Sequence, residues 1–577
     1  MERTFGPTEP LSQMTHAEKY RGEGESFREA MNRVASALSD NPSHYQGFRD
    51  ALLDMRFLPA GRVQKAMGST DDTTPYNCFV SGTIADSFVD GHDSIMDRAK
   101  EAAATMRRGG GIGYDFSTLR PSGSLIKKLG STTDGPIAFM RIFDSICKCV
   151  ASSGHRRGAQ MGVLRVDHPD IEKFVHAKQN QTDLTGFNIS IAVTDEFMHA
   201  VEADGDFDLR FGHEVHRTIK ARPLWEAIMR ATYDWAEPGI LFIDRINEMN
   251  NLAYAETIVA TNPCGEQPLP PYGACLLGSF NLVKYLVWDR DLDRWAFDYA
   301  TFTADIPLVV RAMDNVVDRA RYPLAEQEKE AHDKRRMGLG VTGVANAIEA
   351  MGFAYGSSEF TWELGRILRT LANVAYRASA ELAKEKGPFP LFDREKFLGS
   401  KFVERLEDET RELIAEYGIR NSHLTSIAPT GTISLCADNV SSGIEPVFST
   451  EYTRDVITAD GKETFTVTDY GKRVLGVEPK TTSEVTVEEH LAVLGTAQWW
   501  VDSAVSKTCN VPTDIEWEDF KGVYLDAWKI GAKGVTTFRL GGKRFGILNE
   551  TEAAEEEAGE PVSACTVDLV TGKRECE

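Results

Sequence analysis

The segment Thr261–Leu282, TNPCGEQPLPPYGACLLGSFNL, constrains this chain more than any other stretch. Pro268, Pro270, Pro271 and Gly273 stand between its two cysteines, Cys264 and Cys275. Proline lacks the N–H that a helix needs and glycine turns easily, so the path there is extended and bent. Asn262, Cys264 and Glu266 follow an N-x-C-x-E spacing. In an extended chain alternate residues share a face, which would gather an amide, a thiol and a carboxylate in one small volume. Taken alone, the pattern admits two readings. It is a chemical site, or it is an ordinary buried thiol beside a turn, because free cysteine packs as a small hydrophobe.

The 577 residues suffice for one very large domain or several ordinary ones, and a hydrophobic content of 42% can supply a sizeable core. The net charge of −23 argues against broad nucleic-acid binding, which needs a basic surface. It leaves nucleotides open, since backbone N–H groups at helix starts can hold phosphates. No apolar run is long enough for a membrane span. The N-terminal MERTFGPTEPLSQMTHAEKY lacks the apolar core of a signal peptide. Nine scattered cysteines suit a reducing cytoplasm, where unusual cysteines are catalytic or redox-active. No histidine falls into a zinc-binding spacing, and Cys147 and Cys149 would face different sides of a helix, so no metal site is expected. Cys436 and Cys509 read as packing residues.

Residues 1–55 read as a short helical segment. In Phe27–Leu38 the apolar positions Phe27, Ala30, Met31, Val34 and Leu38 share a helical face, and Ser26 with Glu29 makes a capping box. From about Phe57 short strands alternate with helices: NCFVSGTI and FNISIAVTD as strands, DSIMDRAKEAAATM and DEFMHAVEADG as helices. That alternation predicts an α/β fold with a buried sheet. Residues 546–577 are acidic, with almost no large apolar residues between Leu548 and Val567, and read as a flexible tail that carries Cys565 and Cys576.

NPCGEQPLPPYGACLLGSFNL resembles the active-site finger loop of ribonucleotide reductases. Tyr76–Val80 (YNCFV), Gly110–Arg120 (GGIGYDFSTLR), Ser153–Gly162 (SGHRRGAQMG), Lys334–Gly343 (KRRMGLGVTG) and Ser426–Pro446 (SIAPTGTISLCADNVSSGIEP) match in the expected order. The resemblance implies a ten-stranded α/β barrel over residues 56–545 with the finger loop threaded through its centre. It also implies that the ATP-binding cone of many reductases has no room in residues 1–55.

By the same resemblance Cys264 bears a thiyl radical, Glu266 is the base for the 3′-hydroxyl, and Asn262 orients the sugar hydroxyls. Cys78 and Cys275 donate two electrons as they close to a disulfide. Without the family, Cys78 reads as a buried strand cysteine. Ala428, Pro429, Thr430, Gly431, Thr432, Ile433 and Ser434 would cradle the substrate phosphates, with hydroxyls from Thr430, Thr432 and Ser434; alone, PTGT is equally a helix cap. Asn77 and Gly111 would line the sugar. Asp86, Ser87, Arg120 and Lys127 would form an allosteric effector site at a homodimer interface, and Lys178–Gly186 would relay effector identity. Asp86 is equally a plain helix cap. Cys565 and Cys576 would shuttle electrons from thioredoxin or glutaredoxin by thiol exchange; the other reading is an incidental or metal-binding pair.

Reductases that borrow a radical from a second subunit carry a tyrosine pair near the end of the barrel. Here Thr537 and Phe538 occupy the matching stretch, and phenylalanine has no hydroxyl to relay a radical. The glycyl-radical context R-x-C-G-Y is also missing. The resemblance therefore implies the adenosylcobalamin-dependent class, reducing ribonucleoside diphosphates under dNTP or ATP control. The alternatives are a class I catalytic subunit with an unusual radical path and a non-catalytic nucleotide-binding relative.

Overall fold

The structure, a computed structural model, describes residues 5–152, 156–157, 159–179, 182–291, 293–458 and 461–539, and the short pieces 566–567 and 574–575. Helix α1 (Pro10–Tyr20) is followed by α2 (Phe27–Leu38). The expected bounds of α2 hold. Ser26 Oγ accepts the Glu29 N–H while the Glu29 carboxylate accepts the Ser26 N–H at 2.9 Å, so two otherwise orphaned donors at the helix start are satisfied. Strand β1 (Phe57–Pro59) and helix α3 (Gly61–Ala66) come next.

Five strands then lie parallel in chain order: β2 (Cys78–Val80), β3 (Gly111–Asp115), β4 (Gln160–Arg165), β5 (Phe187–Val193) and β6 (Gly239–Phe242). Helix α4 (Ile95–Arg107) connects β2 to β3, and α5 (Pro136–Cys149) lies between β3 and β4. Every residue of β5 is buried, as expected of a parallel strand covered on both faces. The strand expected over NCFVSGTI is only Cys78–Val80, because from Ser81 the chain leaves the ladder for a bent loop.

A small hairpin joins β7 (Ala260–Thr261) to β8 (Pro268–Leu269). Strands β9 (Ala274–Cys275) and β10 (Leu277–Asn281) are separated only by Leu276, yet they enter different sheets. β9 pairs antiparallel with β2, whereas β10 pairs antiparallel with β1 and parallel with β11 (Gly338–Thr342). Helix α6 (Gly431–Cys436) precedes β12 (Thr508–Val511) and β13 (Gly534–Arg539). β13 runs parallel to β12 and antiparallel to β6. One sheet thus has the order β9-β2-β3-β4-β5-β6-β13-β12 and another β1-β10-β11. Isolated parallel bridges, Leu339 to Thr425 and Ile427 to Val505, lead from β11 towards β12. Near the C-terminus β14 (Thr566–Val567) pairs antiparallel with β15 (Arg574–Glu575).

The α/β expectation holds. Among the described residues the continuous ladders fall into these separate sheets rather than one closed ring. Among those residues no helix is long and apolar enough to cross a membrane, and no cluster of His, Cys, Asp and Glu could hold a metal.

Candidate active site

Asn262–Gln267 is the tip of the β7–β8 hairpin. Asn262 N–H donates to Gln267 O at 3.1 Å, Gly265 N–H donates to Asn262 O at 3.1 Å, and Asn262 Oδ1 accepts the Gln267 N–H at 3.0 Å. Gly265 has φ +82°, a conformation glycine enters without a Cβ clash. The extended alternation expected for N-x-C-x-E is therefore not what gathers these groups. The chain turns back on itself, and Asn262 and Gln267 lock the turn.

The fold grips this tip from several sides. A Cβ on Gly113 of β3 would run into the carbonyl oxygen of Thr261. Asn188 Nδ2 on β5 donates to Pro263 O at 3.1 Å. Glu266 O accepts Ser426 Oγ at 2.9 Å and Ala504 N–H at 3.0 Å.

Cys275 is directly opposite Cys78 in the β9–β2 ladder. Opposed residues point to the same face with Cβ atoms about 4.5–5.5 Å apart, near the separation a disulfide spans. Cys78, Cys264 and Cys275 are all in the thiol form. Gly111, beside Cys78 on β3, leaves room for the sulfur: a Cβ there would lie 3.2 Å from Cys78 Sγ and 3.3 Å from Pro263 Cγ. Burial, with the charge of Glu266 added, pushes the Cys78 thiol up to about 12. Burial followed by the neighbouring Cys78, Glu266 and Cys264 pushes Cys275 well above its ordinary value. Cys78 and Cys275 therefore stay protonated at neutral pH.

Burial also pushes the Glu266 carboxyl up to about 7. The Asn262 amide sits close enough to pull Glu266 and Cys78 back down, without closing a hydrogen bond of good geometry to either. Four buried polar atoms cluster here without a partner: Asn77 Oδ1, Asn262 Nδ2, Glu266 Oε2 and Gln267 Nε2. Such orphans are uncommon because each forfeits its hydration. Of these, Asn77 and Glu266 belong to residues that line a cavity, where a polar ligand can complete their hydrogen bonding, whereas Gln267 Nε2 packs against Gly338.

That cavity has a volume of about 430 Å³, in the range of small-molecule sites. Asn77, Cys78, Cys264 and Glu266 line one part, and Ala428–Ile433 another. Thr430 precedes α6 in a left-handed conformation, φ +55°. The first N–H groups of a helix have no intrahelical partner, so those of α6 are available at its start. The expected hydroxyls divide. Thr430 Oγ1 accepts Gly443 N–H at 2.7 Å and meets Thr342 Oγ1 at 2.9 Å. Ser434 Oγ donates to Gly431 O at 3.0 Å and meets Ser442 Oγ at 2.9 Å, and Ser434 does not line the cavity. These two hydroxyls shape the loop; Thr432 lines the cavity. Arg62, Lys65, Lys19 and Tyr20 also line it. Sequence reading missed them, and no local spacing marks them, because α1 and α3 reach the cavity only through packing.

A second cavity, of about 40 Å³, is lined by Ser190, Gly239, Gly265, Ser506, Gly534 and Thr536 among others, and by Cys264. The two linings share Cys264 and no other residue. Neither Thr537 nor Phe538 lines either cavity. Both are buried, and Thr537 Oγ1 meets Tyr524 OH at 2.8 Å.

Asp86 and Arg120 come together away from these cavities. The Asp86 carboxylate accepts Arg120 Nε–H at 2.6 Å and Arg120 N–H at 3.2 Å. The helix-cap reading of Asp86 fails, since the next helix is α4 and its cap is Ser94. Ser87 Oγ accepts Asp90 N–H at 3.1 Å, and Lys127 is exposed. Lys178 pairs with Glu237 at 2.6 Å, while residues 180 and 181 of the Lys178–Gly186 loop lie outside the described residues. Cys147, Cys436 and Cys509 are buried and Cys149 is exposed, which fits packing roles and opposite helix faces. Cys565 and Cys576 lie outside the described residues.

The family model for the ribonucleotide reductase barrel domain matches residues 76–473 and 479–538. A vitamin B12-dependent ribonucleoside-diphosphate reductase of Mycobacterium tuberculosis (strain CDC 1551 / Oshkosh) is 35% identical, over 91% of this chain and 77% of its own length. Its counterpart from Thermoplasma acidophilum is 32% identical, over 95% of this chain and 71% of its own.

Proposed function

The chain belongs to the ribonucleotide reductase family, and on that premise we propose that it is a vitamin B12-dependent ribonucleoside-diphosphate reductase that makes DNA precursors in the cytoplasm. One observation carries the reading: Cys264 and Glu266 line the same cavity as Cys78, which is backed by its opposed partner Cys275.

The sheets would form one ten-stranded barrel around the hairpin. Strands β2 to β6 supply one parallel half. The other half is β13, the strand through Val505 and β12, residues 425–427, β11 and β10. The run Ala274–Asn281 passes from β2 to β11 and supports closure between the halves.

Glu266 takes the 3′-hydroxyl proton while the Cys264 radical takes the 3′ hydrogen, so an S–H bond forms as the C3′–H bond breaks. The 2′-hydroxyl leaves as water with a proton from the Cys78–Cys275 pair, whose high pKa keeps that proton in place until then. Two thiols become one disulfide and supply two electrons and two protons: one proton leaves in the water, the other hydrogen ends on C2′, and Glu266 returns its proton to the 3′-oxygen. Cys264 returns its hydrogen to C3′ and regains the radical. Asn77, whose unpartnered Oδ1 belongs to the cavity lining, and Asn262 beside Glu266 would orient the sugar, and burial of the hairpin keeps water from the radical.

The second cavity, at about 40 Å³, has room for only a water or two, so a cofactor as large as adenosylcobalamin would sit outside it and approach Cys264 past Gly265, where an added Cβ would meet nothing within 4 Å. Ser190, Gly239, Gly265, Gly534 and Thr536 would border that approach. When bound, that cofactor supplies the radical through its weak Co–C bond.

Asp86, Ser87, Arg120 and Lys127 would hold a dNTP or ATP effector at a homodimer interface. The exposed Phe88, Val89, Leu125 and Leu129 near them support a covered surface. Thioredoxin or glutaredoxin would deliver electrons through Cys565 and Cys576. In support, β15 lies against α6 at the edge of the large cavity. Thr566 pairs with Glu575, and in the sequence Cys565 directly precedes the first while Cys576 directly follows the second.

The test is deoxycytidine diphosphate formation by the purified chain with CDP, mixed effectors and dithiothreitol, with and without adenosylcobalamin. Activity that requires the cofactor supports the reading. Inactivity with it, rescued by a metal-containing partner subunit, would overturn it.

A further inference from the structure

The chain entering α1 and the first turn of that helix are tied to α6 and to the residue just beyond it. Asp438, just beyond α6, accepts Thr8 N–H at 2.7 Å, Thr8 Oγ1–H at 3.0 Å and Glu9 N–H at 3.0 Å. Ser12 Oγ donates to Leu435 O at 2.6 Å. As residue number rises along α1, the partner's number falls along α6, so the two helices run antiparallel. At 1.5 Å per residue, α1 extends about 10 Å from Ser12 to Lys19, while α6 extends only about 6 Å from Leu435 back to Gly431. The last turn of α1 therefore overshoots the first turn of α6. There Glu18, Lys19 and Tyr20 line the large cavity together with Gly431, Thr432 and Ile433.

The same turn is pinned on its other side by α3. A Cβ on Gly61 would lie 2.7 Å from Tyr20 Cζ, so the ring seats on that glycine. His16 Nε2 meets Gln64 Oε1 at 3.0 Å. Helix α1 thus bridges α6 and α3 across one end of the cavity. Among the described residues three cations line that cavity, and they are not equivalent. The Arg62 guanidinium lies over Gly109, and its charge pulls the Cys78 thiol down, which places it towards the sugar end. Lys65 Nζ donates to Arg21 O at 3.2 Å and pairs with Asp71 at 3.5 Å. Lys19 is the one carried past the start of α6.

We infer that α1 is the closing wall at the phosphate end of the substrate cavity, and that Lys19 binds the terminal phosphate of a nucleoside diphosphate. The inference deepens the reductase reading and rests on α6 holding the phosphates. Glu18 and Asp71 share the lining, so the attraction for phosphate is local to Lys19 rather than general.

The experiment is calorimetric binding of CDP, CMP and cytidine to the full chain and to its Lys19→Ala variant. Lys19 is exposed at the cavity, so its truncation leaves the core intact. The variant loses about tenfold in CDP affinity, the size of one charge-assisted hydrogen bond, and keeps its affinity for CMP and cytidine. Lys19→Arg restores the CDP preference. Asp438→Asn, which weakens the α1 tether from outside the cavity, lowers CDP affinity and spares cytidine. An unchanged CDP-to-CMP ratio in Lys19→Ala overturns the role of Lys19. A parent chain that binds cytidine as tightly as CDP overturns instead the assignment of phosphates to α6.

Discussion

Cys275 stands directly opposite Cys78 across an antiparallel pair, although nearly two hundred residues separate them along the chain. Opposed side chains share a face, so the thiols can close to a disulfide with little backbone movement. A single turnover without added reductant is expected to leave a Cys78–Cys275 disulfide in a peptide map. Cys78→Ser and Cys275→Ser should each lower multiple turnover by at least about a hundredfold, since each removes an electron source and a proton donor. Normal turnover of either variant with dithiothreitol would refute the pair.

Glu266 couples activity to pH in one direction and stability in the other. Its folded carboxyl ionises at about 7 because burial penalises the charge. A base must be ionised to act, so kcat/KM should fall as pH drops through about 7, and Glu266→Gln should flatten that limb and lower the rate by about 10²–10⁴-fold. For stability the sign reverses. Between its ordinary value of 4.5 and about 7 the unfolded chain has released this proton while the folded chain still holds it. Glu266 therefore costs stability as pH rises through that window, up to about 3 kcal/mol. Relative to the parent, Glu266→Gln should gain thermal stability at pH 8 compared with pH 5. Equal differences at both pH values would contradict the buried carboxylate.

Gly113 is where the hairpin comes closest to the sheet. Any side chain there collides with the Thr261 carbonyl. Gly113→Ala is expected to cost about 1–3 kcal/mol through overpacking and to shift the hairpin tip. Turnover should fall further than the loss of folded protein explains, because misplacement by an ångström already costs about a hundredfold. Thermal melts run beside the activity assay separate the two effects; a melt and a rate both equal to the parent's would discount the contact.

The tail can be tested with two reductants. Cys565→Ser and Cys576→Ser should slow turnover with thioredoxin and spare it with dithiothreitol, which is small enough to enter the cavity itself. Equal losses with both reductants would remove the shuttle role.

The sequence by itself determined what depends on near neighbours. Ser26 and Glu29 announce the start of α2 because a capping box closes within one turn. The prolines after Gln267 rule out a helix because they lack the N–H it needs. The cysteines, Glu266 and Asn262 point to a chemistry only through the family resemblance they carry, since their spacing alone leaves an ordinary buried thiol beside a turn open. Tertiary structure decided the rest. Asn262, Cys264 and Glu266 meet through a turn closed by Gln267 rather than through strand alternation, and that turn holds only because Gly113, Asn188 and Ser426 grip it from distant parts of the chain. Thr430 and Ser434 looked like phosphate ligands, yet Gly443 and Ser442 claim their hydroxyls. Lys19 carries no local mark at all, because its position depends on Asp438 and Leu435 fixing the direction of α1. Local sequence sets dihedral preferences and hydrogen bonds over a few residues, whereas the direction of a side chain in a site depends on contacts between segments hundreds of residues apart, which arise only when the sheets assemble.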